Sequence, residues 1–433
     1  MSPVPPTSTF TPEWLVRQRW FRAKQRPIAA VLESDRAPLL DRAWLLILGV
    51  RYADGGEDRY LVPAIDDRAR WREPRDGEGA WRAIVREMSE GAEIPARSGR
   101  FRFDAAPALA GLLAEGLDER RLGVEQTNTS VVLGERLILK IYRRLEPGEN
   151  PDLEMSAFLT QVGFAATPAL AGAGHFVPAD GSEPSAVGML QAFVPSRGDA
   201  WRQMLGHLAT DLDASIQSTA RIGAVTSDLH RALASRPEHP SFPARAATAQ
   251  EVASWRADGE RELADAIDAV SGAQHERLVR LAPSIRASFA DAFGSAASSA
   301  QVTRIHGDYH LGQLLVTEEG SFAVIDFEGE PARPLAERRR ASSPLRDLAG
   351  MLRSFDYAAR TAERGAHVAG FSAEAWLAAS RSALLGAYDA TRADEGLLRA
   401  FELQKACYEV RYEAGNRPDW TWLPIEALER LSS

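Results

Sequence analysis

Strand-length apolar runs fill this chain up to about residue 195 and helical, Ala- and Leu-rich stretches fill the rest, and this segregation limits its fold more than any other feature. From Ala43, "AWLLILGVRYADGGEDRYLVPAI" sets two apolar runs around "ADGGED", which predicts a hairpin. From about 120, "EQTNTSVVLGERLILKIYRRL" alternates apolar and polar residues around a turn at Gly134, predicting a second antiparallel pair ending near Tyr142. A helix entered through Pro151 and Asp152 follows, then another strand pair around "FVPADGSEPSAVGMLQAFV". Beyond Trp201 the spacing is helical, with two long amphipathic stretches near 203–235 and 246–293. Strands first and helices later predict an α+β fold rather than an alternating parallel sheet. Three parts are expected, at 1–90, 91–195 and 196–433.

With 433 residues, 45% of them hydrophobic, the chain can bury a sizeable core. Its formal charge of -9, with arginines spread among acids, argues against nucleic acid as a partner and favours a small polar or cationic ligand. The single cysteine, Cys407, makes neither an intramolecular disulfide nor a metal site. The start lacks the apolar run of a signal peptide, and no stretch reaches the length of a membrane span. A cytoplasmic protein that does not bind membranes is the expectation.

The chemistry-bearing stretch is "RIHGDYHLGQLL" from Arg304, followed by "AVIDFEGEP" with Asp326 thirteen residues after Gln313. Both pieces carry apolar runs that anchor polar groups on rigid backbone. Phosphoryl transfer needs a carboxylate to orient and deprotonate an attacking hydroxyl, and oxygen ligands to hold magnesium against nucleotide phosphates. Asp308 suits the first role, and Gln313 and Asp326 suit the second. The plain alternative, that Asp308 caps a turn after Gly307 and Asp326 ends a strand, fits a lone aspartate better than it fits the set. His306 and His310 have the i, i+4 spacing of metal ligands but no third partner, so His306 reads as a structural hydrogen-bonding residue.

"HGDYHLGQ" with "IDFEGE" resembles the eukaryotic-like kinases that include aminoglycoside and choline kinases. The longer run through "PLAERRRASSPLRDLAGMLRSFDYAA" is similar to the bacterial maltokinases, over about 120 to 433. The resemblance implies a bilobal kinase fold with an N-terminal cap subdomain at 1–90, ATP and Mg2+ as cofactors, Asp308 as catalytic base, and Gln313 and Asp326 as metal ligands. Glu328, where protein kinases have glycine, is implied as an assisting ligand.

A kinase also needs a cation for the phosphates, and "LILKIY" offers Lys140 while "NPDLEMSAFL" offers Glu154 as its partner. A solvated surface pair is the plain alternative, and the resemblance favours the functional reading. "EQTNTSVV" lies where a phosphate-covering loop would turn but has no glycine, so Thr127, Asn128, Thr129 and Ser130 are expected to supply the donors. The resemblance alone places adenine against "QAFV", with Gln191, Phe193 and Val194 in contact.

For the acceptor, "FELQKACYEVRYEAGNRPDWTWLP" reads as a helix stopped near Gly415 and Pro418. Glu402, Glu409 and Glu413 share one face and would repel by about a few tenths of a kcal/mol per close pair. Either Lys405, Arg411 and Arg417 answer them on a wet face, or a ligand does. Trp420 and Trp422 just beyond favour a sugar, whose apolar face stacks on an aromatic ring. Maltokinases have aspartate at the place of Gln404 and arginine at that of Gly415. The departures resemble the actinobacterial glucosamine kinase branch, which implies Gln404, Glu409 and Trp420 as substrate contacts, with Glu413 beside them and a carboxylate left open for the amine. Trp20 and Phe21 read as core, and Asp347 as a brace behind the Asp308 loop or a charge at a helix start.

The expected activity is ATP-dependent phosphorylation of glucosamine to glucosamine 6-phosphate, by a monomer or weak homodimer. Maltose to maltose 1-phosphate is the alternative, and a catalytically inactive nucleotide-binding module, suggested by the glycine-free loop, is the alternative of another class.

Overall fold

The computed structural model describes residues 10–40, 42–67, 70–114, 116–123, 127–295, 300–330, 333–388 and 394–432. Contacts divide the chain into two compact units, Met1–Gln161 with Pro168–Pro195, and Val162–Thr167 with Ser196–Ser433.

The first unit opens with α1 (Pro12–Arg17), β1 (Ile28–Leu40), β2 (Ala43–Tyr52), β3 (Glu57–Asp66) and β4 (Trp71–Arg72). The expected hairpin is β2–β3, paired from Ala43↔Ile65 to Arg51↔Glu57, with Gly55 at φ 87 in the turn, a left-handed conformation that glycine adopts without steric cost. Trp20 and Phe21 are buried in the core of this sheet with Leu46, Leu48 and Val62. After α2 (Ala80–Glu90) come β5 (Glu93–Pro95), β6 (Gly99–Ala105), β7 (Glu119–Arg121), β8 (Asn128–Leu133), β9 (Leu137–Tyr142), β10 (Arg144–Leu145), α3 (Pro151–Gln161), β11 (Leu170–Pro178) and β12 (Ser185–Ala192). β10 joins the first sheet beside β3, while a seven-stranded antiparallel sheet runs β5-β6-β11-β12-β9-β8-β7. Trp81, Ile84 and Met88 of α2 share a core cluster with Phe101, Phe103 and Phe176.

The second unit is mainly helical, as the segregated pattern predicts. It holds β13 (Ser196–Asp199), α4 (Ala200–Thr210), α5 (Leu212–Leu233), β14 (Arg245–Ala246), α6 (Ala249–Ala269), α7 (Gly272–Ser295), β15 (Gln301–Val302), β16 (Leu314–Thr317), β17 (Phe322–Val324), α8 (Leu335–Arg338), α9 (Leu345–Arg364), α10 (Ala373–Tyr388), α11 (Glu395–Asn416) and α12 (Trp422–Leu431). Each of the two long amphipathic stretches is two helices, not one. Asp211 leaves helical geometry at φ -156 and ψ 96, its backbone N–H closing α4 on His207 while its carboxylate caps α5 at the Ala214 N–H. Between α6 and α7, Val270 turns extended and Gly272 takes φ 59. Among the described residues no helix is long and apolar enough to cross a membrane.

Candidate active site

The backbone pairing of β16 with β17 explains why Gln313 and Asp326 occur thirteen residues apart. Leu314↔Val324 closes the ladder, and the Ile325 N–H continues it by donating to the Gln313 carbonyl at 3.0 Å. Gln313 at the strand entrance and Asp326 just past its exit therefore stand side by side, and Gln313 Nε2 donates to Asp326 Oδ2 at 3.3 Å. Asp326 sits at φ 66, a left-handed conformation costing a non-glycine residue about 1–3 kcal/mol, which is characteristic of side chains held for function. Carboxylate oxygens of Asp326 and Glu328 lie within 4.8 Å of each other. Paired carboxylate oxygens are the donors a hard divalent cation takes, and the Gln313 amide adjoins them through its Nε2 contact with Asp326.

Asp308 is carried by the loop that precedes this hairpin, and the loop is pinned at several points. Gly307 turns it at φ 84. The fully buried Asp347 of α9 accepts the His306 N–H at 2.8 Å and the Gly307 N–H at 2.9 Å, so it is the brace that the sequence reading names. Its carboxylate is also hydrogen-bonded to His230 Nε2 at 2.9 Å, and His230 Nδ1 meets the Tyr388 hydroxyl at 2.9 Å. Burial alone would raise the pKa of Asp347, but the His230 hydrogen bond, the two imidazoles and the Gly307 N–H together hold it below the usual carboxylate value. His306 Nε2 pairs with the Ile325 carbonyl at 3.0 Å and its Nδ1 accepts the Asp308 N–H at 3.4 Å, so both ring nitrogens serve the fold. His310 Nδ1 accepts the Gly312 N–H, and burial lowers its pKa. Gly350 of α9 lets the loop backbone approach closely, since a Cβ there would stand 2.6 Å from the Tyr309 carbonyl oxygen.

Asp308 itself is partly open, with its side chain 25% exposed. Lys405 Nζ of α11 lies 3.3 Å from Asp308 Oδ1 and 2.7 Å from Glu330 Oε1. Glu330 Oε2 accepts from Arg333 Nε at 2.7 Å. Burial pushes the Glu330 carboxyl up, but Lys405 and Arg333 outweigh it and hold the pKa at about 2. Burial opposes the charge of Lys405, and Glu330 and Asp308 raise its pKa well above the ordinary lysine value. By local spacing Lys405 is only a counter-charge for its own helix. Its partners are 97 and 75 residues away in the chain, beyond any local spacing signal.

A cavity of about 810 Å³ in this unit is lined by the residues flanking Asp308, Gly307 and Tyr309, and by Glu330, Gln404, Lys405 and Tyr408. Phe401, Gln404, Lys405 and Tyr408 recur at i, i+3, i+4 and i+7, so one face of α11 is turned to the cavity. Gln404 is only 3% exposed, and among the described residues neither its Nε2 nor its Oε1 meets a hydrogen-bonding partner. Among proteins of known structure such an orphaned amide is rare, because it costs about 1–3 kcal/mol.

The acidic face of α11 is answered from inside the protein, which corrects the expectation of unneutralised carboxylates. Arg381 donates to Glu402 at 2.6 Å, Arg353 to Glu409 Oε2 at 2.9 and 2.7 Å, and Arg417 to Glu413 at 2.8 and 2.6 Å. Only Arg417 had been legible as a partner, being one turn away; Arg381 and Arg353 come from α10 and α9. Glu413 also accepts the Tyr357 hydroxyl at 3.0 Å, so both its oxygens are used. At Glu409 both Arg353 bonds fall on Oε2, and among the described residues no donor reaches Oε1. Trp420 lies parallel to Tyr357, with ring centroids 6.5 Å apart, and Arg417 stands over it. Glu409, Glu413 and Trp420 are not among the cavity-lining residues.

In the first unit Lys140 Nζ meets a carboxylate of α3, Asp152 Oδ2, at 2.8 Å. Of the expected phosphate loop, Asn128, Thr129 and Ser130 are strand residues of β8, paired with Tyr142, Ile141 and Lys140. A run of Thr-Asn-Thr-Ser-Val-Val favours that extended pairing. The Thr129 hydroxyl accepts from Arg143 at 2.8 Å and Ser130 is buried. Thr127 precedes the strand, and Glu125 and Gln126 lie outside the described residues. Gln191 Nε2 donates to Ser156 at 3.0 Å, the Phe193 N–H donates to the Arg136 carbonyl at 2.8 Å, and Val194 follows the end of β12.

The sequence profile of the phosphotransferase enzyme family matches residues 113–382, and that of the maltokinase N-terminal cap domain matches residues 14–93. A glucosamine kinase of Streptacidiphilus jiangxiensis is 31% identical over 404 residues, covering 88% of this chain and 87% of the relative. One of Mycolicibacterium smegmatis is 27% identical over 399 residues, covering 88% and 96%. Among solved structures, a glucosamine kinase in complex with glucosamine, ADP and inorganic phosphate is similar with a TM-score of 0.73 at 27% identity, over 94% of each chain. A second crystal form of glucosamine kinase gives 0.76 at 26% identity, over 96% of each.

Proposed function

This chain belongs to the phosphotransferase enzyme family, and on that premise we propose that it transfers the γ-phosphoryl group of ATP to a hydroxyl of glucosamine, forming glucosamine 6-phosphate and ADP. The observation that carries this reading is the pinned loop: a backbone locked by Asp347 presents Asp308 between two residues that line a cavity, and the unanswered Gln404 amide lines that same cavity.

In the proposed reaction the acceptor oxygen forms a new bond to the γ-phosphorus, the bond to the β–γ bridging oxygen breaks, and the acceptor proton passes to Asp308. Gln313, Asp326 and Glu328 are the residues that would hold magnesium, their oxygen donors fitting it. Magnesium held by these residues would supply positive charge to neutralise the phosphates. Lys140, fixed by Asp152, is the proposed phosphate contact of the first unit, with Thr127 and the Asn128 strand beside it and Gln191, Phe193 and Val194 for the adenine. Gln404 is the proposed contact for acceptor hydroxyls, and Glu409 Oε1 is the proposed partner of the amine, with Trp420 against the ring. Glu413, saturated by Arg417 and Tyr357, is assigned to holding the end of α11. A cytoplasmic monomer or weak homodimer, without nucleic-acid or membrane partners, completes the proposal.

The match to a maltokinase cap domain favours one second reading, maltose phosphorylation. ADP release measured with glucosamine, glucose and maltose separates them. Glucosamine is expected to give the highest kcat/KM, and a preference for maltose would replace the first reading with the second.

A further inference from the structure

Glucosamine at neutral pH carries an ammonium, and a kinase that phosphorylates it faces a difficulty of its own making. The base that must meet an acceptor hydroxyl is a carboxylate, and a carboxylate is a better partner for an ammonium than for a hydroxyl, because a charge-assisted bond is about twice as strong as a neutral one. A sugar bound amine-first to Asp308 would present the wrong atom to the phosphorus. The structure holds an answer to this at Lys405.

Lys405 stands on the cavity face of α11 and reaches Asp308 Oδ1 at 3.3 Å. It is kept there by the shorter bond to Glu330 at 2.7 Å, and Glu330 is in turn fixed through its other oxygen by Arg333. Tyr408, one turn on, lies under the ammonium with its ring centroid 4.6 Å from Nζ. The lysine is therefore anchored away from Asp308 and leans onto it. No protein donor among the described residues reaches Asp308 Oδ2, which stays available to a hydroxyl.

We propose that Lys405 is a positioning and specificity residue: it occupies one oxygen of Asp308 so that the other faces the acceptor hydroxyl, and its fixed positive charge keeps the acceptor's ammonium off the base and free for Glu409. This rests on the reading of glucosamine as the acceptor. Built-in repulsion of a wrong binding mode is a recognised route to specificity, and at a site that is a quarter exposed its strength is that of a partly screened pair. A purely structural role for Lys405, neutralising buried Glu330, makes no distinction between a cationic and a neutral sugar.

The test is calorimetric titration of glucosamine and of glucose into the full-length protein without nucleotide, with steady-state ADP release on the same preparations. Lys405→Met is expected to bind glucosamine about fivefold more tightly than wild type with glucose affinity unchanged, the size of one exposed charge pair. Its kcat and KM for glucosamine should fall together, whereas glucose loses kcat alone. Lys405→Arg, which keeps the charge, should restore the wild-type affinity ratio. Equal changes for both sugars, or Lys405→Arg behaving as Lys405→Met, overturn the inference. If Lys405→Met does not fold, Lys405→Gln carries the test: it removes the charge but keeps a polar side chain, so the glucosamine-to-glucose affinity ratio must rise as in the methionine variant, and an unchanged ratio overturns the inference. A wild-type protein that ignores glucosamine overturns the acceptor assignment itself, and this inference with it, before any variant is made.

Discussion

Replacing Asp347 is the sharpest probe of how the catalytic loop is held. Its carboxylate accepts two backbone N–H groups, at 2.8 and 2.9 Å, in a fully buried position. Asp347→Ala leaves both donors without a partner, and each orphaned buried donor costs about 1–3 kcal/mol. Asp347→Asn keeps one carbonyl oxygen but turns an NH2 toward the second donor, so it forfeits about half, roughly 1–3 kcal/mol in all. A loss of about 3 kcal/mol in the alanine variant corresponds to about a hundredfold rise in local opening. Hydrogen–deuterium exchange of the peptide spanning Arg304–Leu311 reads this directly, and it should show the hundredfold acceleration at the His306 and Gly307 amides with distant peptides unchanged. Turnover should drop by about a hundredfold as well, because a displacement of about 1 Å in a reacting group costs that much. Exchange within threefold of wild type together with normal turnover would refute the idea that Asp347 sets the loop.

Three further outcomes follow from the same geometry. Glu409→Gln should raise KM for glucosamine by about tenfold and leave KM for glucose nearly unchanged, since it removes a charge-assisted bond only the amine makes; equal effects on the two sugars would remove Glu409 from amine recognition. Gln404→Leu should raise the unfolding free energy by up to about 2 kcal/mol, because it removes an orphaned amide, while lowering kcat/KM for the sugar; a variant that loses stability shows that the amide is satisfied within the fold. Glu330, held at about 2 by Lys405 and Arg333 after burial is overcome, contributes stability that is complete above the unfolded carboxyl pKa near 4.5 and is lost as pH falls through 2, about 3 kcal/mol over that window; denaturation profiles of Glu330→Gln should lack this part of the acid sensitivity, and an unchanged profile would assign it elsewhere.

What the sequence made legible was whatever depended on neighbours in the chain. The hairpins around Gly55 and Gly134 announce themselves through turn residues between apolar runs, and Asp308, Gln313 and Asp326 stand out because polar groups are embedded between segments that are buried. Interactions across long separations left no such trace. The acidic stripe of α11 was visible as a problem, but its solution lies on α9 and α10, with Arg353 lying 56 residues before Glu409 and Arg381 lying 21 before Glu402. Lys140 stood out at a strand end, whereas its bond to Asp152 depends on the rotation of α3 about its axis, which spacing in the chain does not supply. The breaks at Asp211 and Gly272 were missed because amphipathic periodicity runs across them: a capping aspartate reads locally as one more polar residue on a helix.

Glucosamine-dependent ADP release by Asp308→Asn beside wild type, with nucleotide affinity measured on the same samples, tests the assignment of the base most directly. Turnover is expected to fall by about a thousandfold, in the range removal of a proton acceptor produces, while the nucleotide dissociation constant stays within about twofold. An asparagine variant that phosphorylates glucosamine at the wild-type rate would contradict it.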